Sequence, residues 1–540
     1  MPAVNVIAFE IETTTRHGDV VRADVYLPKN SASPFPVVLG ASPYQKALRH
    51  LPDSGAFPFI EYGPMQLYLD NGYAYVAMDV PGTGRSEGTW DPVARAEGEA
   101  IHDMIEYVAT FDWCTGNIGM IGMSYYCWSQ WNAARTRPPH LKTIGAFDGA
   151  TDMYRDWMYH GGIPGQAFLN SWLFGSVLLQ HQGQGIGFEV GSKDRVIYDI
   201  YEHPLDDEWH RRRSPFWELD QIDIPVFSIG AWGKAGLHLR GNFAGFERVQ
   251  GPKQLLIVPP DTFLKTQLFF AQESFHAAEL LPWYDYHLKG IQNGAMERPA
   301  VRFYVNNEDK TATATTWPPA DVTPTTFYLS GEKSGFVPSL NDGSLTEAAP
   351  ENPAGHTTWA YPDPEWQAGV TVFGPGGAPN QVARVTTFTT APFARDREFS
   401  GQGVLVLHAA TDQRDLDVIV KLSLVTAGSP PTQGHKVSQG WLRASHRRED
   451  PALTTDMRPF HTHDQVELLT PDTAYELRVE LLPMSVLVKK GDRLRLEISN
   501  NDSPVADAPM SHWYGTKVGR DTYYHNQAQP SLLKLHERPR

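Results

Sequence analysis

At 540 residues the chain is longer than one hydrophobic core supports, and its length points to about three domains. With 41% hydrophobic and 20% charged residues it reads as globular, and a net charge of -16 without a basic run argues against nucleic acid or an anionic membrane as partner. A small molecule is then the default partner, and homo-oligomerisation stays open. Two cysteines, Cys114 and Cys127, give no disulfide framework and no thiolate cluster. The start, Met1-Pro2-Ala3-Val4-Asn5, has neither a basic nor an apolar leader region, so the expected location is the cytoplasm, with no cofactor and no metal.

In chain order, residues 21–27 alternate apolar and polar at their start and predict a strand. Residues 35–40 predict a second, fully buried one that ends at Ala41-Ser42-Pro43-Tyr44. Loops leaving the carboxyl ends of strands are where open α/β sheets bind ligands, which makes Tyr44 a candidate site residue. Another buried strand is expected over 72–79. The turn after it contains Gly82-Thr83-Gly84, but no Walker lysine follows and no helix opens within it, so it reads as a tight turn. Ile101, Met104, Ile105 and Val108 share the buried face of a helix on which His102 and Asp103 read as solvated or structural.

Ile118-Gly119-Met120-Ile121-Gly122-Met123-Ser124-Tyr125-Tyr126 is an apolar strand that turns at a serine into a helix. Strand–turn–helix elbows of this kind lift a nucleophilic serine clear of a sheet. The competing reading is a serine that caps the next helix, and the position of the usual second glycine holds Tyr126. The sequence of strands and helices up to this point predicts parallel β/α units. Residues 143–147 predict a strand ending at Asp148. From 154 to 219 the chain is aromatic-rich and irregularly helical, as expected of a cap. Its Trp157, Tyr159, Trp172 and Phe174 favour a bulky apolar substrate. Strands resume at 224–229 and 254–258, and 277–288 reads as a helix. Beyond about 300, short alternating runs such as 404–407, 417–422 and 494–498 predict an all-β sandwich.

Ser42-Pro43-Tyr44, residues 79–88 and 112–120, Gly122-Met123-Ser124-Tyr125, residues 283–290, Asp415-Leu416-Asp417-Val418 and residues 491–496, taken in this order, resemble the X-prolyl dipeptidyl aminopeptidase and cocaine esterase family of serine hydrolases. The resemblance spans nearly the whole chain. It implies the α/β class: an α/β-hydrolase core from 1–153 and 220–300, a helical cap at 154–219 and a C-terminal jelly roll at 301–540. The implied chemistry is acyl transfer from esters or amides to water. Ser124 matches the family nucleophile, and the Tyr125 N–H and Tyr44 hydroxyl match its two oxyanion donors. The other two triad positions depart from the pattern, because the acid position in Gly230-Ala231-Trp232-Gly233-Lys234 holds Lys234 and the histidine position holds Thr262. Cys127 replaces a family glycine and reads as a packing residue.

A serine hydroxyl is a poor nucleophile without an adjacent base. The sequence offers His238, four residues past the lost acid, and His160, at the start of the cap. Lys234 can serve as a base of lowered pKa or as a charge for an anionic substrate. Asp148 and Asp261 can orient a histidine or simply shape turns. The expected catalytic set is therefore Ser124, Tyr44, Tyr125 and His238, with Lys234, His160 and Trp232 contacting substrate. His461 and His463 lack the further ligands a metal needs. The expected function is cleavage of an ester or amide of a small, bulky apolar molecule through Ser124 with a rearranged base. The alternative is a non-hydrolytic lyase, isomerase or cyclase using Ser124, Tyr44 and Lys234 as polar or acid/base groups, and a silent binding protein is a third reading.

Overall fold

Apolar runs with no polar face must be covered on both sides, and the runs around 35–42, 74–79 and 226–231 form central strands buried at every position. The computed structural model describes residues 6–29, 31–46, 61–177, 196–361, 382, 384–502, 510–512 and 518–540. Two compact units emerge. The first comprises Met1–Trp157, Asn170–His203 and Glu208–Phe303, and the second Met158–Leu169, Pro204–Asp207 and Tyr304–Arg540. Residues of the expected 154–219 cap thus fall in both units, while its 178–195 portion and the Met1–Asn5 start lie outside the described residues.

In the first unit we label the strands β1 (Val6–Thr14), β2 (Val20–Pro28), β3 (Phe35–Ser42), β4 (Ala74–Asp79), β5 (Cys114–Met123), β6 (Leu141–Phe147), β7 (Val226–Ala231), β8 (Lys253–Val258) and β9 (Val301–Val305). They lie in the order β1-β2-β4-β3-β5-β6-β7-β8-β9. From β4 to β9 every neighbouring pair is parallel. The expected parallel units are present, with an addition at the edge: β1 and β2 form an antiparallel pair, and β2 runs antiparallel to β4. Helix Leu281–Lys289 packs beneath the sheet, its Tyr284 hydroxyl donating to Met120 O at 2.7 Å and its Trp283 Nε1 to Thr143 Oγ1 at 2.7 Å. A Cβ on Gly145 would stand 2.3 Å from that tyrosine oxygen, so a glycine is required in β6. The helix begins one turn later than the periodicity predicts. A π-helical turn, His276–Leu280, precedes it, and Pro282, lacking an N–H, sits in its first turn.

Parallel register brings the ends of β5, β6 and β7 side by side. Met123 pairs with Phe147, and Phe147 with Ile229. The loops that follow therefore open on one edge of the sheet, where doubly wound folds place their chemistry. The predicted tight turn wraps the buried Asp79 carboxylate, which accepts from the N–H groups of Lys46 (2.6 Å) and Arg85 (2.9 Å).

The second unit is mostly β strand. Arg397–Thr411 pairs antiparallel with Tyr475–Val488, and Asp417–Val425 lies between His435–Arg443 and Arg493–Ser499. Leu405, Leu407, Val418, Val420, Leu494 and Leu496 belong to its large core. Among the described residues no helix is long and apolar enough to cross a membrane.

Candidate active site

Ser124 follows β5 with φ 62 and ψ -119, a left-handed conformation unusual for a residue with a side chain. Its N–H donates to Asp148 O at 2.9 Å, which ties the elbow to the end of β6. Helix Tyr125–Ala134 starts immediately after it, yet the Ser124 side chain makes no capping hydrogen bond. The helix-cap reading of this serine is thereby excluded. Tyr125 opens the helix, where N–H groups have no partner within the helix, and its own N–H meets no acceptor among the described residues. Its phenol is anchored elsewhere, donating to Glu97 Oε2 at 2.7 Å and accepting from the Val93 N–H at 3.2 Å.

His238 is the residue that reaches the serine, with Nε2 3.2 Å from Ser124 Oγ. The second ring nitrogen, Nδ1, is 3.1 Å from Trp128 Nε1. An indole nitrogen only donates, so Nδ1 must be the acceptor, and the proton of the neutral ring lies on Nε2. His238 therefore donates to Ser124 Oγ. Burial, aided by the Lys234 charge, holds its pKa well below the ordinary histidine value, so the ring is neutral. The structure thus brings the expected His238 to Ser124, in a tautomer whose Nδ1 accepts and whose Nε2 donates. Trp128→Phe removes the donor and should let the ring proton redistribute to Nδ1. The ring ¹⁵N shifts of His238 should report Nε2–H in the wild type and a mixture in the variant. A wild-type ring protonated at Nδ1 would refute the assignment.

Lys234 closes the 3₁₀ turn Trp232–Lys234 after β7. Gly233 N–H donates to Pro260 O at 2.8 Å, and a Cβ on Gly233 would lie 2.5 Å from Thr262 N, so the two loops that carry the substituted triad positions touch. Thr262 caps helix Phe263–Phe270, accepting from the Lys265 N–H. Lys234 is buried, its Nζ 3.2 Å from the centroid of the Phe263 ring and without a hydrogen-bond partner among the described residues. Burial pushes its pKa down to about 8 against the opposing pull of Asp148 and Glu61. Asp148 Oδ1 accepts from the Ala231 N–H at 2.9 Å, while Oδ2 has no hydrogen-bond partner among the described residues. Burial raises this carboxyl to about 7, opposed by Lys234.

Glu61 was not singled out by any motif. Its backbone oxygen lies 3.2 Å from where a Cβ on Gly122 would stand, which places it against the elbow. Oε1 accepts from Gln267 Nε2 at 3.3 Å, and Oε2 is buried without a hydrogen-bond partner among the described residues. Burial pushes the carboxyl up to about 8, while Lys234, Gln267 and the nearby Ser124 hydroxyl pull it down. Tyr44 is equally buried, and its oxygen accepts from Trp172 Nε1 at 2.9 Å. Burial first, and the Glu61 charge second, keep its phenol protonated far above the usual range. Around these groups stand Trp90, Trp128, Trp157 and Trp172, with ring centroids 4.7 Å apart for Trp128–Trp157 and 5.2 Å for Trp157–Trp172.

The remaining candidates lie elsewhere. His160 belongs to the second unit, its Nδ1 2.7 Å from His512 Nε2 and its ring stacked on Trp441 at 4.4 Å. These partners come from the β-rich part of the chain. Trp232 is buried beside Phe243. Asp261 pairs with Lys265 at 2.7 Å, and Phe174 is 51% exposed. Cys127 is buried, and its Sγ fills the space where a Cβ on Gly149 would lie.

Residues 17–261 match the X-Pro dipeptidyl-peptidase (S15 family) sequence model, and residues 293–534 match the X-Pro dipeptidyl-peptidase C-terminal non-catalytic domain. The cocaine esterase of Rhodococcus sp. is 24% identical over 555 residues, covering 93% of this chain and 92% of that protein. Among solved structures, a CocE/NonD family hydrolase from Staphylococcus aureus aligns with a TM-score of 0.82 at 24% identity, over 98% of this chain and 94% of its own. An α-amino acid ester hydrolase aligns with a TM-score of 0.75 at 17% identity, over 99% and 97%. These structural matches establish the α/β-hydrolase fold with its β-rich C-terminal part.

Proposed function

The chain belongs to the family of X-Pro dipeptidyl-peptidases and cocaine esterases, a family of hydrolases, and from that premise we propose that it cleaves an ester or amide through a covalent Ser124 intermediate. The observation that carries this reading is the Ser124 hydroxyl, released from any capping role at a left-handed elbow and hydrogen-bonded to His238. In the reaction Oγ attacks the carbonyl carbon, and the oxyanion that forms is received by the Tyr125 N–H and the Tyr44 hydroxyl. The His238 Nε2–H steadies Oγ as it loses its proton. The tryptophan wall favours a bulky apolar group on a small-molecule substrate. With both cysteines buried and unpaired, a reducing, cytoplasmic location is part of the proposal.

A fluorophosphonate probe should label the folded protein once, at Ser124, as read by intact mass and peptide mapping. Absence of labelling would overturn the reading. One observation favours the alternative of a lyase, isomerase or cyclase: His238 in its donor tautomer serves acid or hydrogen-bonding chemistry as well as it serves acyl transfer. A Ser124→Ala variant with undiminished turnover would establish that alternative.

A further inference from the structure

Ser124 needs an acceptor for its proton, and the two groups expected to supply it are turned to other tasks. His238 carries its proton on Nε2 and offers a donor. Lys234 Nζ rests on the Phe263 ring, and the groups that act on it are Asp148 and Glu61, not the serine. Asp148 spends Oδ1 on the Ala231 N–H, and its backbone oxygen holds the Ser124 N–H. Glu61 shares with Asp148 one hydrogen-bonded carboxyl oxygen and one without a partner among the described residues, and differs in that the Ser124 hydroxyl acts on its carboxyl. It lies against the elbow at Gly122, is oriented by Gln267, is stabilised by the neighbouring Ser124 hydroxyl, and keeps one carboxyl oxygen buried and without a hydrogen-bond partner among the described residues. A buried, unsatisfied carboxyl oxygen costs free energy, and such groups recur where chemistry uses them.

We propose that Glu61 is the general base of this site, its Oε2 taking the Ser124 proton while the Lys234 charge favours the carboxylate form. The proposal rests on the serine-nucleophile reading above. As the Oγ–C bond forms, the Oγ proton moves to Oε2. Collapse of the tetrahedral intermediate breaks the bond to the leaving group, which receives that proton. Water then attacks the acyl-enzyme, gives a proton to Glu61, and the proton returns to Oγ as the acid departs. Catalytic hydrogen bonds commonly tighten only once substrate is bound, and the proposal requires this of Ser124 Oγ and Glu61 Oε2. The charged and titratable groups around Glu61 are Lys234, Asp148 and Tyr44, with Gln267 as its neutral partner.

The test is the rate of fluorophosphonate labelling as a function of pH, which needs no known substrate. A base must be unprotonated to act, so the wild-type rate should climb with pH and level off above about 8. Glu61→Gln should slow labelling by about 10²–10⁴-fold and flatten the profile. Lys234→Met, which removes the positive charge that favours the carboxylate, should move the climb to higher pH. Wild-type labelling that is flat across this range, an unslowed Glu61→Gln, or a Lys234→Met that labels at no pH would each overturn the proposal. If Glu61→Gln fails to fold, the wild-type and Lys234→Met profiles decide. Wild-type protein that never labels removes the serine nucleophile and Glu61 with it, whereas labelling indifferent to Glu61 removes only the base.

Discussion

Tyr44→Phe is expected to lower kcat by about 10²–10³-fold on an activated aryl ester, with KM little changed, because an oxyanion donor acts on charge that exists only in the transition state. The argument starts from the single phenolic proton. Tyr44 oxygen accepts from Trp172 Nε1, so its own proton must be donated elsewhere, and Ser124 is among the groups it meets. Burial keeps that proton in place at any working pH. The loop after β3 holds the ring against Tyr125 and Tyr126, with centroids 6.1 Å away in both cases. Loss of the hydroxyl also strands the Trp172 N–H, at a cost of about 1–3 kcal/mol. Thermal melting separates that cost from catalysis, since a folded variant with intact KM and depressed kcat isolates the oxyanion term. If kcat stays within threefold of wild type, Tyr44 is only a wall residue.

Much of this architecture is legible from residue pattern alone, and the exceptions share a physical cause. Strand β3 begins at Phe35 as predicted because an uninterrupted apolar run has no other stable placement than a sheet interior. Ser124 is legible because its neighbours announce the turn. His238 is legible as a residue type near a loop that the family resemblance marks, but its tautomer is not, since the indole that fixes it comes from Trp128, 110 positions earlier. Glu61 shows the limit most clearly. It sits in the run Phe57-Pro58-Phe59-Ile60-Glu61-Tyr62, and the one local signal was a carboxylate among aromatic and apolar residues, a side chain headed for burial with no partner nearby in sequence. Its relation to Gly122 and Lys234 is created only by folding. The contacts of His160 were equally hidden, since its place close to Trp157 in sequence gives no sign that its ring stacks on Trp441 of the second unit.

Gly122→Ala should be the most damaging single methyl in the first unit's site, lowering stability by about 2–6 kcal/mol and nearly abolishing Ser124 labelling. The figure combines about 1–3 kcal/mol for overpacking with about 1–3 kcal/mol for forcing a side chain into a region that glycine occupies freely. Gly122 has φ 128, and an added Cβ would fall 2.3 Å from Tyr126 Cβ and 2.9 Å from its Cγ. Tyr126 cannot swing aside, because a Cβ moves only with its backbone, and that backbone is the first turn of the helix that carries the elbow. The other near atom is Glu61 O at 3.2 Å. Relief must therefore come from displacing the helix start or the Glu61 segment, and either moves Ser124 relative to its partners. The sequence motif usually has small residues at both of these positions; here a tyrosine at 126 makes the glycine at 122 obligatory. Gly175→Ala is the control, since a Cβ there meets nothing within 4 Å, and its melting temperature and labelling should match wild type. If Gly122→Ala melts and labels like that control, the elbow is softer than its backbone implies and the tight register of Ser124, His238 and Glu61 loses its basis.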